Sequence, residues 1–246
     1  MKNESVISIK QAGFGYRSRS DYFVLKDVNL ILNKGELTGI IGLNGSGKST
    51  FIKSVCGLHK ALTGEVEVYS QNIYSLDVNE RSKLVSVVLT ERNSGFNLTC
   101  LDVVRMGRIP FTNMFGKLTG TDNEIVDNCV KHLGLEEHKS KLLEELSDGL
   151  YQKTMIARCM AQQTSIMLLD EPAAFLDYGA KHDLFKHLRD LCVIQQKCIL
   201  FSSHELDLIL KYCTNVLILH NSTAQLIPVN EAMNHKYFKE VSGGYI

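Results

Sequence analysis

The chain has 246 residues, and its 27 lysines and arginines balance its 27 aspartates and glutamates. Zero formal net charge gives no support for a nucleic-acid-binding surface, which needs clustered excess positive charge. No apolar run reaches the roughly 18 residues that would suggest a membrane-spanning helix, and the length suits one large α/β domain or a domain carrying an insert.

The N-terminal stretch MKNESVISIK lacks the apolar centre of a signal peptide. Seven cysteines (Cys56, Cys100, Cys129, Cys159, Cys192, Cys198 and Cys213) include no C-x-x-C pair, and most lie in apolar runs. They read as small hydrophobes in a reducing compartment, so a cytoplasmic chain is expected.

In chain order, Val6, Ile7 and Ile9 open a strand, and VLKDVNLIL (24–32) is a second, with partial alternation. Leu37 to Ile41 predicts a buried strand running into a glycine-rich loop. Ser49 to Cys56 follows with helical spacing, Phe51, Ile52 and Val55 on one side. Residues 64–76 return to alternation, so β structure is concentrated in the first 90 residues. Thr121-Asp122-Asn123-Glu124 has the form of a capping box. Ile125, Val126, Cys129, Val130 and Leu133 then repeat at helical spacing up to a stop at Gly134. Further helices are expected at 137–145 and 149–162. Strands resume at 165–170, 197–203 and 216–220, with helices at 179–195 and 205–213 between them. The order predicts a single domain: a nucleotide-binding core from 1–89 and 161–225, a helical subdomain at 90–160, and a C-terminal tail at 226–246.

Gly42-Leu43-Asn44-Gly45-Ser46-Gly47-Lys48-Ser49-Thr50 satisfies G-x-x-x-x-G-K-[ST] between a predicted strand and a predicted helix, the context the pattern requires. Its glycines let successive N–H groups face phosphate oxygens. Lys48 brings a cation to the β- and γ-phosphates, and the Ser49 hydroxyl can ligate Mg²⁺. SIMLLDE (165–171) is an apolar strand ending in two carboxylates. Strand C-termini of a parallel sheet meet at the ligand crevice, so Asp170 can meet Mg²⁺ and Glu171 can polarise an attacking water. His204 ends another apolar strand and is expected at the γ-phosphate. Ser147 and Gly149 open a helix, where they read either as an N-cap or as a phosphate contact.

These segments resemble the ATP-binding-cassette ATPases, over most of the chain from about Val6 to His220. GLNGSGKST is similar to the family's Walker A loop, SIMLLDEP to its Walker B strand with the catalytic glutamate, AAFLD to its D-loop with Asp177, and FSSHEL to its switch-histidine segment. LSDGLYQK stands in the place of the signature motif. Tyr16 resembles the aromatic residue that stacks on adenine, with Tyr22 as competitor. The resemblance implies a P-loop core with an N-terminal antiparallel β subdomain and an inserted helical subdomain. It also implies ATP and Mg²⁺ as ligands and a head-to-tail homodimer, in which Ser147 and Gly149 touch the γ-phosphate held by the partner's Lys48. The segment Met106-Gly107-Arg108-Ile109-Pro110-Phe111, with Phe115-Gly116-Lys117-Leu118 and Thr121-Asp122, resembles the importers of iron-siderophore, haem or cobalamin. That implies a separate permease in the cell membrane, docked through 90–160, and indirectly a periplasmic or surface binding protein. The chain would then be peripheral on the membrane's inner face.

Three positions depart from the family. Thr90 and Glu91 stand where its metal-contacting glutamine should fall, Asp148 replaces a glycine, and Leu150 replaces a glutamine. The rival readings are a soluble ATPase of the same family outside transport, of the iron–sulfur-assembly or DNA-repair type, and a nucleotide-binding module that does not hydrolyse.

Overall fold

The computed structural model describes residues 4–17, 21–90, 97–113 and 116–241. Glu91 and Phe115, both singled out in the sequence, lie outside these residues.

Strands β1 (Ser5–Tyr16) and β2 (Tyr22–Asn33) pair antiparallel, with Tyr16 opposite Tyr22. β3 (Leu37–Gly42) follows; every residue in it is buried, as expected where both faces of a strand are covered. The chain turns through the glycine loop into α1 (Lys48–Val55) and returns as β4 (Thr63–Val68) and β5 (Gln71–Asn72). These complete a four-stranded antiparallel sheet in the order β2-β1-β4-β5. Helix α2 (Val78–Leu84), closed by an Asp77/Glu80 capping box, leads into β6 (Val85–Val88).

The helical segment then contributes α3 (Cys100–Met106), α4 (Gly120–His132) and α5 (Asp148–Ala161). Two expectations here are corrected. The capping box of α4 is built by Thr119 and Asp122, two residues before Thr121: the Asp122 amide donates to Thr119 Oγ1 at 3.2 Å and the Thr119 amide to Asp122 Oδ2 at 2.9 Å. The segment 137–145 is not a helix but two 3₁₀ turns, Glu136–His138 and Leu143–Glu145. Its backbone is claimed by a neighbour: the Leu143 amide bonds the Leu98 carbonyl, the Cys100 amide bonds Lys141, and Thr99 bridges Leu142. Those non-local bonds hold the chain extended where side-chain spacing alone suggested a helix.

β7 (Ile166–Leu169), α6 (Tyr178–Gln195), β8 (Cys198–Ser202), α7 (Leu206–Tyr212) and β9 (Asn215–His220) complete the parallel part of a six-stranded sheet. Its order is β10-β9-β3-β8-β7-β6, with β10 (Thr223–Pro228) antiparallel at the edge. Residues 226–241 are no loose appendage. They finish β10, form α8 (Val229–Ala232) and α9 (Lys236–Val241), and bury Phe238 completely. Two apolar clusters cover the two faces of this sheet. One takes in α3, α4, α5 and α6, and the other α1 and the antiparallel strands.

All seven cysteines are buried and unpaired, and burial pushes every one of their thiols upward. They pack as hydrophobes, as expected. Among the described residues no helix is long and apolar enough to cross a membrane.

Candidate functional site

The glycine loop leaves the C-terminal end of β3, at the centre of the sheet, and ends on the first turn of α1. Gly47 caps that helix at φ 102°, and a Cβ there would fall 2.6 Å from Val24 Cγ1, so glycine is required on two counts. Lys48 Nζ folds back to donate to the carbonyls of Gly42 at 2.8 Å and Leu43 at 3.4 Å. Burial pulls its amine below the ordinary lysine range, partly opposed by the nearby Glu171 and Asp170 carboxylates. The Ser46 hydroxyl is buried without a partner. A buried orphan of this kind, beside the positive end of α1 and an ammonium, suits an anionic oxygen ligand. The loop lines a cleft of about 390 Å³ with Tyr16, Tyr22, Val24, Asn44, Gly45, Ser49, Thr50 and Glu171.

Both tyrosines border this cleft. Tyr16 is the better anchored, since its hydroxyl lies 3.0 Å from Thr50 Oγ1 and its ring meets His59 edge-on. It is 49% exposed and Tyr22 66%. A half-covered ring held at one end is a ready surface for a planar ligand.

The acidic pair sits at the end of β7. Asp170 is buried: its Oδ1 accepts from Ser202 Oγ at 2.6 Å and its Oδ2 from Thr90 Oγ1 at 3.2 Å. Thr90 therefore turns its hydroxyl onto the carboxylate. Glu171 adopts φ 48°, a left-handed conformation that is uncommon for a side chain of this size. Three bonds hold it there. Its N–H donates to Ser202 Oγ at 2.8 Å, and its carbonyl accepts from the Ala174 amide at 3.3 Å and from Gln152 Nε2 at 3.4 Å. His204 Nε2 lies 3.3 Å from Glu171 Oε1, so the two expected catalytic groups share one edge of the site. Ser202 and Gln152 were not read from the sequence. Ser202, two residues before His204 at the end of a buried strand, was the discernible one.

The opening turn of the signature-like segment, Ser147 to Gly149, lies elsewhere, while Gln152 further along the same helix reaches the Glu171 carbonyl. Ser147 caps α5, its hydroxyl accepting from the Leu150 amide at 3.4 Å, so within one chain the capping reading is realised. Gly149 packs under the loop that carries Phe175, where an added Cβ would sit 2.9 Å from the Phe175 carbonyl. Asp177 caps α6 through the Ala180 amide at 2.9 Å. Ser147, Gly149 and Asp177 line a second cleft, of about 540 Å³, that shares no residue with the glycine-loop cleft. The structure thus gathers Lys48, Thr90, Asp170, Glu171, His204 and Tyr16 at one end of the sheet and does not bring Ser147, Gly149 or Asp177 to them.

A third feature is apolar. A groove of about 730 Å³ runs between α2 and the end of α3, lined by Leu58, Val78, Met106, Ile109 and Pro110. The importer-like stretch at 106–111 forms one wall.

A phosphate loop on a central parallel strand, faced by a strand-end acidic pair and a histidine, defines a P-loop nucleotide hydrolase with an inserted helical region. Residues 25–174 match the family model described as ABC transporter. The chain belongs to the ABC transporter family of ATP-binding-cassette ATPases. An uncharacterized ABC transporter ATP-binding protein of Methanocaldococcus jannaschii is 37% identical over 201 residues, 82% of this chain and 69% of that protein. A petrobactin import ATP-binding protein of Bacillus anthracis is 30% identical, covering 91% of this chain and 82% of its own length. A cobalamin import ATP-binding protein of Halobacterium salinarum is 32% identical over 80% of this chain, which spans only 49% of that longer relative. Among solved structures, a chain of an inward-facing ABC transporter assigned to the metal-chelate type superposes with a TM-score of 0.82 at 25% identity, covering 97% of this chain and 89% of that one. A dimeric bacterial ABC transporter cassette gives 0.81 at 26% identity, over 91% of this chain and 98% of that one.

Proposed function

We propose that this chain is the ATP-hydrolysing subunit of an importer for an iron chelate, haem or cobalamin, working as a head-to-tail homodimer on a separate permease. The carrying observation is the division of the site into two clefts. Lys48, Glu171 and His204 are assembled around one, while Ser147, Gly149 and Asp177 surround another, so a second copy supplies the missing half.

In the proposed site, the amides of Asn44, Gly45, Ser46 and Gly47 cradle the phosphates of ATP, with Thr50 behind them and Tyr16 under the adenine. Lys48 leaves the Gly42 carbonyl for the β- and γ-phosphate oxygens. Ser49 and Asp170 would hold Mg²⁺, with Thr90 beside it. Their hard oxygen donors fit that ion, which would neutralise charge on the phosphates. Glu171 orients and polarises the attacking water, and His204 holds the γ-phosphate side of that water. Ser202 and Thr90 keep Asp170 aligned. The second copy's Ser147 and Gly149 complete the γ-phosphate site when the halves close, and closure excludes water.

The apolar groove is the proposed seat of the permease's cytoplasmic helix. Its exposed Leu58, Val78, Met106 and Ile109 form the kind of contiguous apolar patch that marks a protein partner. The likeness to import ATP-binding proteins and to a metal-chelate type transporter supports this occupant and the cargo class. The domain is read as one cassette with a core at 1–89 and 161–225, a helical subdomain at 90–160 and a C-terminal part at 226–246. A position on the inner face of the membrane, with a substrate-binding protein acting from the far side, follows from the same proposal.

The test is Glu171→Gln. Turnover should drop at least a hundredfold while ATP brings two copies together as a stable dimer on size exclusion. Normal turnover in this variant would refute the catalytic assignment, and a strictly monomeric ATP complex would refute the shared site.

A further inference from the structure

The importer-like stretch at 106–111 has no contact with the nucleotide cleft, yet it holds the most deeply buried ion pair among the described residues. Arg108 is 6% exposed and Asp122 5%. Arg108 Nε donates to Asp122 Oδ1 at 2.8 Å. One terminal nitrogen of the guanidinium donates to the Ala161 carbonyl at 2.9 Å and to Gln163 Oε1 at 3.3 Å, and the guanidinium lies 4.3 Å from the centre of the Phe111 ring. Each partner belongs to a different element. Asp122 closes the capping box of α4, Ala161 ends α5, and Phe111 lies in the turn beside the groove wall. Gly107 is pressed so close to α5 that an added Cβ would fall 2.3 Å from the Arg158 carbonyl.

From this geometry we infer that Arg108 is a positioning residue for the signature helix, binding its far end to the wall of the apolar groove. Helix α5 has 14 residues, so Ala161 lies about 21 Å along the axis from Ser147. A hydrogen-bonded helix is stiff over that length, and gripping its last carbonyl sets the tilt of its first turn. The grip is favourable in kind as well, since a cation at a helix C-terminus meets the negative end of its dipole. Lysine cannot reproduce it: a point charge cannot bind Asp122 and Ala161 in two fixed directions, as the planar fork does. Ile109 and Pro110, the next residues along, line the groove. An occupant pressing on that wall therefore moves the grip, and with it Ser147 and Gly149. Arg108 acts on the step in which the signature turn meets nucleotide in a second copy, and leaves nucleotide capture by the glycine loop alone.

The inference rests on the shared-site reading above, so its test carries a control for that reading. Arg108→Lys and Ser147→Ala are compared with the unaltered full-length chain for ATPase turnover, KM for ATP, and affinity for a fluorescent ATP analogue with Mg²⁺. Arg108→Lys should lower kcat at least tenfold, since a misplacement of about 1 Å far from the chemistry can cost a hundredfold. Analogue affinity should stay within twofold. If Arg108→Lys does not fold, Arg108→Met with Asp122→Leu carries the test, because apolar residues of similar volume can replace a buried ion pair without loss of fold but leave Ala161 ungripped. Unchanged kcat in a folded Arg108 variant, with Ser147→Ala slowed, overturns the inference and leaves the shared site standing. Equal losses of kcat and analogue affinity overturn it too, because they mark general damage. If Ser147→Ala turns over normally, the shared-site reading fails and this inference fails with it.

Discussion

Ser202 offers a sharp test of how the acidic pair is held. Its hydroxyl is fully buried, donates to Asp170 Oδ1 at 2.6 Å and accepts from the Glu171 amide at 2.8 Å. Ser202→Ala removes both bonds and changes little else in volume. An orphaned buried amide costs about 1–3 kcal/mol, and a hydrogen bond to a charged group is worth about 1.5–3 kcal/mol. Allowing for relaxation, the loss should be about 2–4 kcal/mol, a large share of the roughly 5–15 kcal/mol that holds a typical domain together. A second consequence is local. Glu171 is kept at φ 48° against a left-handed penalty of about 1–2 kcal/mol, and the Ser202 bond is the shortest of its three backbone restraints. Without it Glu171 should relax and its carboxylate leave the edge it shares with His204, from which it is proposed to orient water. Urea unfolding and steady-state ATPase assays measure the two effects separately. Turnover should fall at least tenfold with nucleotide affinity nearly unchanged, because the glycine loop is untouched. A variant within 0.5 kcal/mol of the parent and with normal turnover would refute this account; the threshold is about the noise of such comparisons.

The two tyrosines can be separated by nucleotide affinity. Stacking on a base is worth about 1–3 kcal/mol, so Tyr16→Ala should weaken ATP binding roughly 5- to 150-fold while Tyr22→Ala has less than a twofold effect; the reverse order would transfer the role to Tyr22. Gly47→Ala should abolish nucleotide binding and cost at least about 2 kcal/mol in urea unfolding, because φ 102° and the 2.6 Å approach to Val24 both exclude a side chain. Acid unfolding should report on Asp122. The Thr119 hydrogen bonds first, then Arg108, hold its carboxyl down at about 2. The unfolded chain takes up the proton first, so this contribution is complete above pH about 4 and is lost as pH falls toward about 2. Asp122→Asn should flatten that limb of the stability curve, and an unchanged limb would count against the assignment.

Much of the site was legible because its signals are local. The glycine loop, the SIMLLDE strand end and His204 each pair a buried strand with the chemistry that follows it, and the parallel sheet brings those ends together. What escaped was decided by partners distant in sequence. Thr119 and Thr121 each stand three residues before an acid, and only the extended backbone at Thr119 chooses between them. The segment 137–145 has helical spacing, but Leu98, Cys100 and Leu101 take its backbone bonds. Arg108 was readable as part of an importer-like pattern and unreadable as the buried partner of Ala161, 53 residues on. Ser147 and Gly149 could be read as a cap or as a phosphate contact. The isolated chain realises the first, and the proposed second role belongs to a pair of chains.

The separation of the two clefts also has a kinetic meaning. If each copy holds only half of the reacting set, turnover by dilute chains grows with the square of their concentration and becomes first order once they are gathered in pairs. A stray copy then consumes almost no ATP. Two copies seated side by side on the proposed membrane partner would experience an effective concentration in the millimolar range, set by geometry and not by expression level. On that reading the fuel is spent only where the machine has been assembled.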